Sequence, residues 1–263
     1  MKQAQAGLAI KDFAKVSSKI QRFISGYLKS SGARGLVIGL SGGLDSAVAL
    51  QLCANAAGQK KILGLALPSS STPQDDVSDA VNHASSLGVE CKVIAIDPLI
   101  ENYAKLLPEA DNKTRGNLVA RMRMGILYYF AASRNSLVVG TSDRSELMIG
   151  YFTKYGDGGS DLMPLAGLYK TQVRELARHL GVPAQIVNKK SSPRLWPGQL
   201  AEDELGLSYD TIDPILYCLV DKKMKPARAA KALAVSPASV RKVEAMIKAS
   251  AHKRIMPPVA RID

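Results

Sequence analysis

The chain has 263 residues, of which 46% are hydrophobic and 22% charged, and 35 Lys+Arg against 23 Asp+Glu give it a formal charge of +12. This balance excludes a disordered chain, and no window approaches roughly 18 consecutive apolar residues, which excludes a membrane-spanning helix. Cys53, Cys91 and Cys218 stand far apart in apolar contexts without a CxxC pair, so they read as free thiols in a reducing cytoplasm rather than a disulfide or zinc site.

Residues 8–31 place Leu8, Phe13, Val16, Ile20, Phe23, Ile24, Tyr27 and Leu28 near helical spacing, which predicts an amphipathic helix stopped by Gly32. Lys11 and Asp12 interrupt this N-terminal stretch and make it a poor signal peptide. Strands are predicted at 35–40, 61–67, 90–97 and 136–140, and helices at 46–57, 75–87, about 114–133 and 170–181. A polar loop fills 68–74. Residues 150–168 are too glycine-rich for regular structure and too long for an ordinary connection, so they read as a binding loop. A Pro/Ser/Lys loop covers 188–199, and the chain after Asp213 reads as helical to about 250. Strands alternating with helices predict an α/β fold with a doubly wound, Rossmann-like parallel sheet flanked by helices and a helical C-terminal segment. The expected organisation is one domain over 1–263. It comprises an N-terminal helix in 1–34, a sheet core in 35–187, an active-site loop in 188–213 and a basic helical segment in 214–263. In such sheets ligands lie beyond the carboxyl ends of strands, where the strand order reverses.

The strand at 35–40 runs directly into Ser41-Gly42-Gly43-Leu44-Asp45-Ser46 and then a helix. Two glycines allow a sharp turn with consecutive N–H groups, and the helix start adds unpaired donors and its positive dipole end. This is a phosphate cradle, with Asp45 placed to bind Mg²⁺ beside the anion. It lacks the GK[ST] of a Walker A loop. The plain alternative is a glycine turn with Asp45 or Ser46 capping the helix.

SGGLDS resembles the PP-motif of the N-type ATP pyrophosphatases, which split ATP into AMP and pyrophosphate to adenylate a poor electrophile. Four further segments resemble the NAD synthetases: GNLVARMRM (116–124), GTSDRSE (140–146), YFTKYGDGGSD (151–161) with Leu168-Tyr169-Lys170 behind it, and LWPGQ (195–199) followed by ELG (204–206), with the HKR tail (252–254). The resemblance runs from about residue 15 to the C-terminus. It implies an adenine nucleotide α-hydrolase-like fold and amidation of deamido-NAD with ammonia, driven by ATP as co-substrate with Mg²⁺, in a homodimer. Another PP-motif adenylating enzyme, such as a tRNA-modifying one, is the runner-up.

The resemblance also implies residue roles. Gly39, Leu40, Ser41, Gly42, Gly43, Leu44, Asp45 and Ser46 would bind ATP, together with Thr141, Lys170 and Ser192. Asp45 and Glu146 would hold the metal. Arg121, Lys154, Asp161, His252 and Lys253 would hold deamido-NAD, with Arg254 beside them. Asp45, Lys170 and Asp157 form the catalytic set, Asp157 being expected as a desolvated carboxylate that captures and deprotonates ammonium. From the residues alone, Arg121 reads first as a solvated helix face and His252 as an exposed idle histidine, while Asp157 reads equally as a turn former. Pro193-Arg194 departs from the Ala-Asp of many bacterial members. Only about 34 residues precede the first strand, too few for the amidohydrolase domain of glutamine-using members, so free ammonia is the expected donor; a separate glutaminase subunit stays open.

The charge supports a second hypothesis. Residues 221–263 hold eleven Lys/Arg against three Asp/Glu, net +8 of the chain's +12. Residues 226–245 resemble a helix-turn-helix with Ser236 as cap and Pro237 in first position. Against nucleic-acid binding, the second helix offers mostly Ala, Val and Met, with no Asn, Gln or clustered Arg for base edges. A helix pair packed on the core is the favoured reading.

Overall fold

The computed structural model describes residues 8–262; positions 1–7 and 263 lie outside the described residues, among them the start of the 1–34 segment and of the stretch weighed as a signal peptide. Helix α1 (Phe13–Ser31) begins later than the apolar spacing predicts, because Asp12 accepts the Lys15 N–H at 2.8 Å and so defines its start. It ends at Gly32 in the left-handed conformation (φ 71°). Leu8 does not share its apolar face: it is buried in a different cluster, and its carbonyl accepts Gln172 Nε2 at 2.7 Å.

Four parallel strands follow: β1 (Gly35–Gly39), β2 (Ile62–Ala66), β3 (Glu90–Val93) and β4 (Ser136–Val139), ordered β3-β2-β1-β4. Leu36 stands opposite Ile62 on one side and Leu137 on the other. Both faces of the sheet are covered, which is why the central strands are apolar throughout. Leu36, Ile38 and Val139 pack on one face against α1, α2 (Leu44–Ala57), α3 (Gln74–Ser86) and α7 (Lys170–His179). Val37, Leu63, Leu65 and Val138 pack on the other against α5 (Asn112–Arg134). The alternate residues of each strand thus enter different cores, as the period of two requires.

Several boundaries differ from the sequence expectation. The third strand stops at Val93 rather than 97, and the chain enters α4 (Asp97–Leu106), with Pro98 near its start where a missing N–H costs nothing. Helix α6 (Arg144–Ile149) is a single capped turn and a half, too short for periodicity to reveal. The 150–168 segment has no helix or strand, and Leu162 lies parallel to Val139 in an isolated bridge beside β4. The 188–213 segment is not a loop throughout: after α8 (Ala184–Val187) it holds α9 (Ala201–Leu205) and the start of α10 (Tyr209–Leu216). The C-terminal segment is helical and contains the expected helix pair. A π-turn (Tyr217–Asp221), α11 (Pro226–Leu233) and α12 (Pro237–Ala249) divide it, broken at Lys223 (φ 50°) and Ala234 (φ 52°).

Ser236 caps α12 through the Ser239 N–H at 3.0 Å, with Pro237 in first position as the pattern predicts. Leu233, Val240 and Val243 bury themselves against Tyr209, Ile212 and Ile215 in a second core. That core also takes Ile149 and Tyr169, so it packs directly behind α6 and the start of α7.

Candidate active site

Strand β1 lies between β2 and β4, so the loops leaving β1 and β4 diverge at the point where the order reverses. A cavity of about 540 Å³ opens there. Its glycine turn is sterically enforced. Gly42 has φ 71°, and a Cβ on it would stand 1.9 Å from the Asp76 carbonyl oxygen. Gly43 precedes α2 in extended conformation, and no side chain caps that helix, so neither Asp45 nor Ser46 acts as the cap. The first N–H groups of α2 are therefore left for a ligand. Ser46 Oγ instead donates to the Gly43 carbonyl at 3.1 Å and accepts from the Ser41 N–H at 3.3 Å, bracing the turn. Lys189 Nζ holds the Gly42 carbonyl at 2.8 Å and pairs with Asp76 and Asp79 at 2.7 and 2.6 Å. Arg194 joins the same carboxylate of Asp76 at 2.9 Å, so the Pro193-Arg194 departure adds a cation to the cavity wall.

Lys170 is buried with its ammonium 2.6 Å from Asp45 Oδ2, 2.7 Å from Glu146 Oε1 and 3.0 Å from Asp143 Oδ2. One oxygen of each carboxylate lies within 4.8 Å of the others. The chain builds this cluster from short-range rules. Asp143 Oδ1 caps α6 on the Glu146 N–H at 2.8 Å, while Glu146 Oε2 reaches back to the Asp143 N–H at 3.3 Å. Lys170 opens α7, where Ser145 Oγ accepts its backbone N–H at 2.9 Å; Ser145 in turn donates to buried Asp213 at 2.6 Å. Burial raises the pKa of Asp143 to about 7, against the lowering by Lys170. Burial also lifts Glu146 well above the usual carboxylate range, again opposed by Lys170. For Lys170 burial works downward, but Asp143, Asp45 and Glu146 outweigh it and hold the ammonium well above its ordinary value.

The three carboxylates suit a hard divalent cation. Asp45 Oδ1 is buried with no hydrogen-bond partner, and Asp143 Oδ2 has only the ammonium contact. Sequence reasoning selected Asp45 and Glu146 and missed Asp143; the D-x-x-E spacing was visible, but it signals a capping box.

Gly39, Leu40, Ser41, Gly43, Leu44, Asp45, Ser46, Thr141, Glu146, Asp157, Lys170, Ser192 and Lys253 line the cavity. Gly42 does not; it makes the close approach behind it. Ser192 Oγ donates to the Gln199 carbonyl at 2.6 Å, which leaves it only acceptor capacity. Asp157 stands at the cavity wall, its residue surface exposed, with Oδ1 accepting the Thr153 N–H at 2.8 Å. Desolvation of its carboxyl group raises its pKa, opposed by that hydrogen bond and by Lys253 and Arg123.

Arg121, Lys154 and His252 lie outside the cavity lining but form one linked cluster. Arg121 donates to the Lys154 carbonyl at 3.2 Å, and Lys154 Nζ to the His252 carbonyl at 3.0 Å. Lys253 Nζ donates to the Gly150 and Phe152 carbonyls at 2.8 and 2.7 Å, tying the C-terminal segment to the 150–168 loop. Asp161, expected to hold deamido-NAD, also braces the fold: its oxygens accept the Val138 N–H of β4 at 2.7 Å and the Tyr128 hydroxyl of α5 at 3.1 Å. Arg254 is likewise spent on the carbonyls of Leu147, Met148 and Ile247.

A glycine turn feeding an uncapped helix, beside a lysine-bridged carboxylate trio at the switch point of a parallel sheet, defines a nucleotide-using α/β enzyme of the Rossmann-like PP-motif class. The family described as NAD synthase has a model that matches residues 16–257, and the chain belongs to that family. A relative in Hyperthermus butylicus, named NH(3)-dependent NAD(+) synthetase, is 53% identical over 94% of this chain and 90% of its own length. Among solved structures, an NMN synthetase from Francisella tularensis superposes with a TM-score of 0.86 at 34% identity, covering 96% of this chain and all of that one. An NH3-dependent NAD synthetase from Campylobacter jejuni, in complex with nitrate, gives 0.81 at 30% identity over 95% of this chain and all of its own. Among the described residues, no helix is long and apolar enough to cross a membrane.

Proposed function

We propose that the protein converts deamido-NAD, ATP and ammonia into NAD, AMP and pyrophosphate. A deamido-NAD carboxylate oxygen attacks the α-phosphorus of ATP, forming a C–O–P linkage as the bond to pyrophosphate breaks. Ammonia then attacks the acyl carbon, the C–N bond forms and AMP departs with the electrons of the C–O bond. Transfer to AMP removes the carboxylate charge that repels the nucleophile and supplies a competent leaving group. The observation that carries this reading is that the carboxylate trio around Lys170, which includes Asp45 at the helix start behind the glycine turn, lines the same cavity as that turn.

In this reading the N–H groups of 44–46 and the Thr141 hydroxyl donate to phosphate oxygens, while Ser192, its proton spent on the Gln199 carbonyl, offers ATP an acceptor oxygen. Asp45, Asp143 and Glu146 would hold Mg²⁺, which when bound neutralises phosphate charge. Asp157 holds ammonium at the cavity wall and takes its proton. The Arg121, Lys154, His252 and Lys253 cluster meets the dinucleotide. Exposed Phe23 and Tyr27, stacked on α1, and exposed Tyr129 on α5 support a homodimer interface. The free cysteines, two of them buried, support a cytoplasmic setting.

The test mixes protein, Mg-ATP, deamido-NAD and ammonium, and measures NAD, AMP and pyrophosphate. Because of the likeness to an NMN synthetase, nicotinate mononucleotide is run beside deamido-NAD; preference for it would move the substrate assignment. Production of ADP, or dependence on RNA, overturns the reading. Retention on DNA or tRNA with a steep salt dependence would favour the basic 226–245 segment instead.

A further inference from the structure

Arg123 belongs to none of the assignments above, yet it lines the same cavity. It sits on α5, half-buried, and its Nε donates to the Leu67 carbonyl just beyond β2 at 3.1 Å. That bond fixes the side chain and leaves both Nη groups without a partner among the described residues. Burial pulls its pKa down, while Asp157 and Asp97 pull it up from beyond ion-pair distance. Of the other cationic side chains lining the cavity, Lys170 is committed to three carboxylates, Lys189 to two, Arg194 to one and Lys253 to two carbonyls, while Lys113, Arg174 and Lys190 make no ion pair among the described residues; Arg123 differs from those three in being anchored through its own Nε. A partly desolvated guanidinium without a counter-ion is unfavourable unless a ligand supplies one. Its planar pair of free Nη groups matches two oxygens of a phosphate or carboxylate.

We propose that Arg123 binds an anionic group, phosphate or carboxylate, of a nucleotide in the cavity. This rests on the nucleotide-enzyme reading and adds a binding residue to it. Its place at the end of β2, with Asp157 and Asp97 as its nearest acidic influences, separates it from the lysine-bridged carboxylates, to none of which it is paired.

The experiment titrates wild type, Arg123→Met and Arg123→Lys calorimetrically with Mg-ATP and, separately, with deamido-NAD. Arg123→Met should weaken at least one of them roughly 10- to 100-fold, the worth of a charge-assisted contact. Loss in the Mg-ATP arm assigns the anion to ATP; loss in the other assigns it to the dinucleotide. Arg123→Lys keeps charge and packing but loses the fork, and should retain only part of the affinity. Both affinities within about twofold of wild type in Arg123→Met overturn the proposal. If that variant is misfolded by melting, unchanged affinities in a well-folded Arg123→Lys overturn it instead. If wild type binds neither nucleotide, the function falls and this inference with it; that result is distinct from wild-type binding with unaffected variants.

Discussion

Replacing Gly42 with alanine puts a methyl group where the start of α3 already lies. The new Cβ would stand 1.9 Å from the Asp76 carbonyl oxygen, 2.7 Å from its carbon and 2.9 Å from Cα, all of them backbone. Nothing flexible can move aside. The left-handed φ of 71° adds about 1 kcal/mol of strain for a residue with a Cβ. Displacing α3 also pulls Asp76 from Lys189 and Arg194, and overpacking of this kind costs about 1–3 kcal/mol. The sum, about 2–4 kcal/mol, corresponds to a melting temperature roughly 5–15 °C lower for a chain of this size. Gly43 provides the control: its φ is −98°, and a Cβ would meet only Ser41 Oγ at 3.3 Å. Gly43→Ala should melt within about 2 °C of wild type yet bind Mg-ATP more weakly, since its methyl crowds the anion cradle. Thermal unfolding by circular dichroism with Mg-ATP titration reads both. A Gly42→Ala variant as stable as wild type, or a Gly43→Ala variant equally destabilised, refutes the steric account.

Lys170→Met leaves Asp45, Asp143 and Glu146 facing one another without their cation, at about 3–5 kcal/mol; millimolar Mg²⁺ should recover part of the lost melting temperature, and unchanged melting in chelator would contradict this. Asp157→Asn should abolish NAD formation while pyrophosphate release persists, and undiminished NAD production would remove Asp157 from the reaction. His83 is buried, with Nε2 on the Ala47 carbonyl at 3.2 Å and Nδ1 lacking any acceptor, so burial holds its pKa below the ordinary 6.5. Its contribution to stability is full above 6.5 and is lost as pH falls through the lower folded value, by at most about 1.4 kcal/mol per pH unit. His83→Gln should flatten that acid slope in thermal melts, and an unaltered slope would assign it to other groups.

The strands and the phosphate turn were legible because each is written in local chemistry: apolar runs bounded by glycine, then SGGLDS into a helix. What stayed hidden depends on atoms doing two tasks or on distant partners. Asp143 reads as a helix cap and is one through Oδ1, while Oδ2 faces Lys170, a pairing that no spacing discloses. Lys170 at a helix start signals a compensating anion; the anions present are the chain's own carboxylates. Asp161 shares a motif with binding residues, yet its Oδ2 also accepts from β4 and its Oδ1 from Tyr128 of α5, partners that no local spacing discloses. The two arginines of α5 show the limit most clearly. Arg121 and Arg123 are two residues apart, about 200° around a helix, so they cannot serve the same face. Which one enters the cavity depends on how α5 lies on the sheet, and burial of Val119 and Ala131 with Val37 and Val138 fixes that rotation. The rotation leaves Arg121 exposed against the Lys154 carbonyl and turns Arg123 toward the end of β2. A family resemblance selects the first; the packed helix supplies the second.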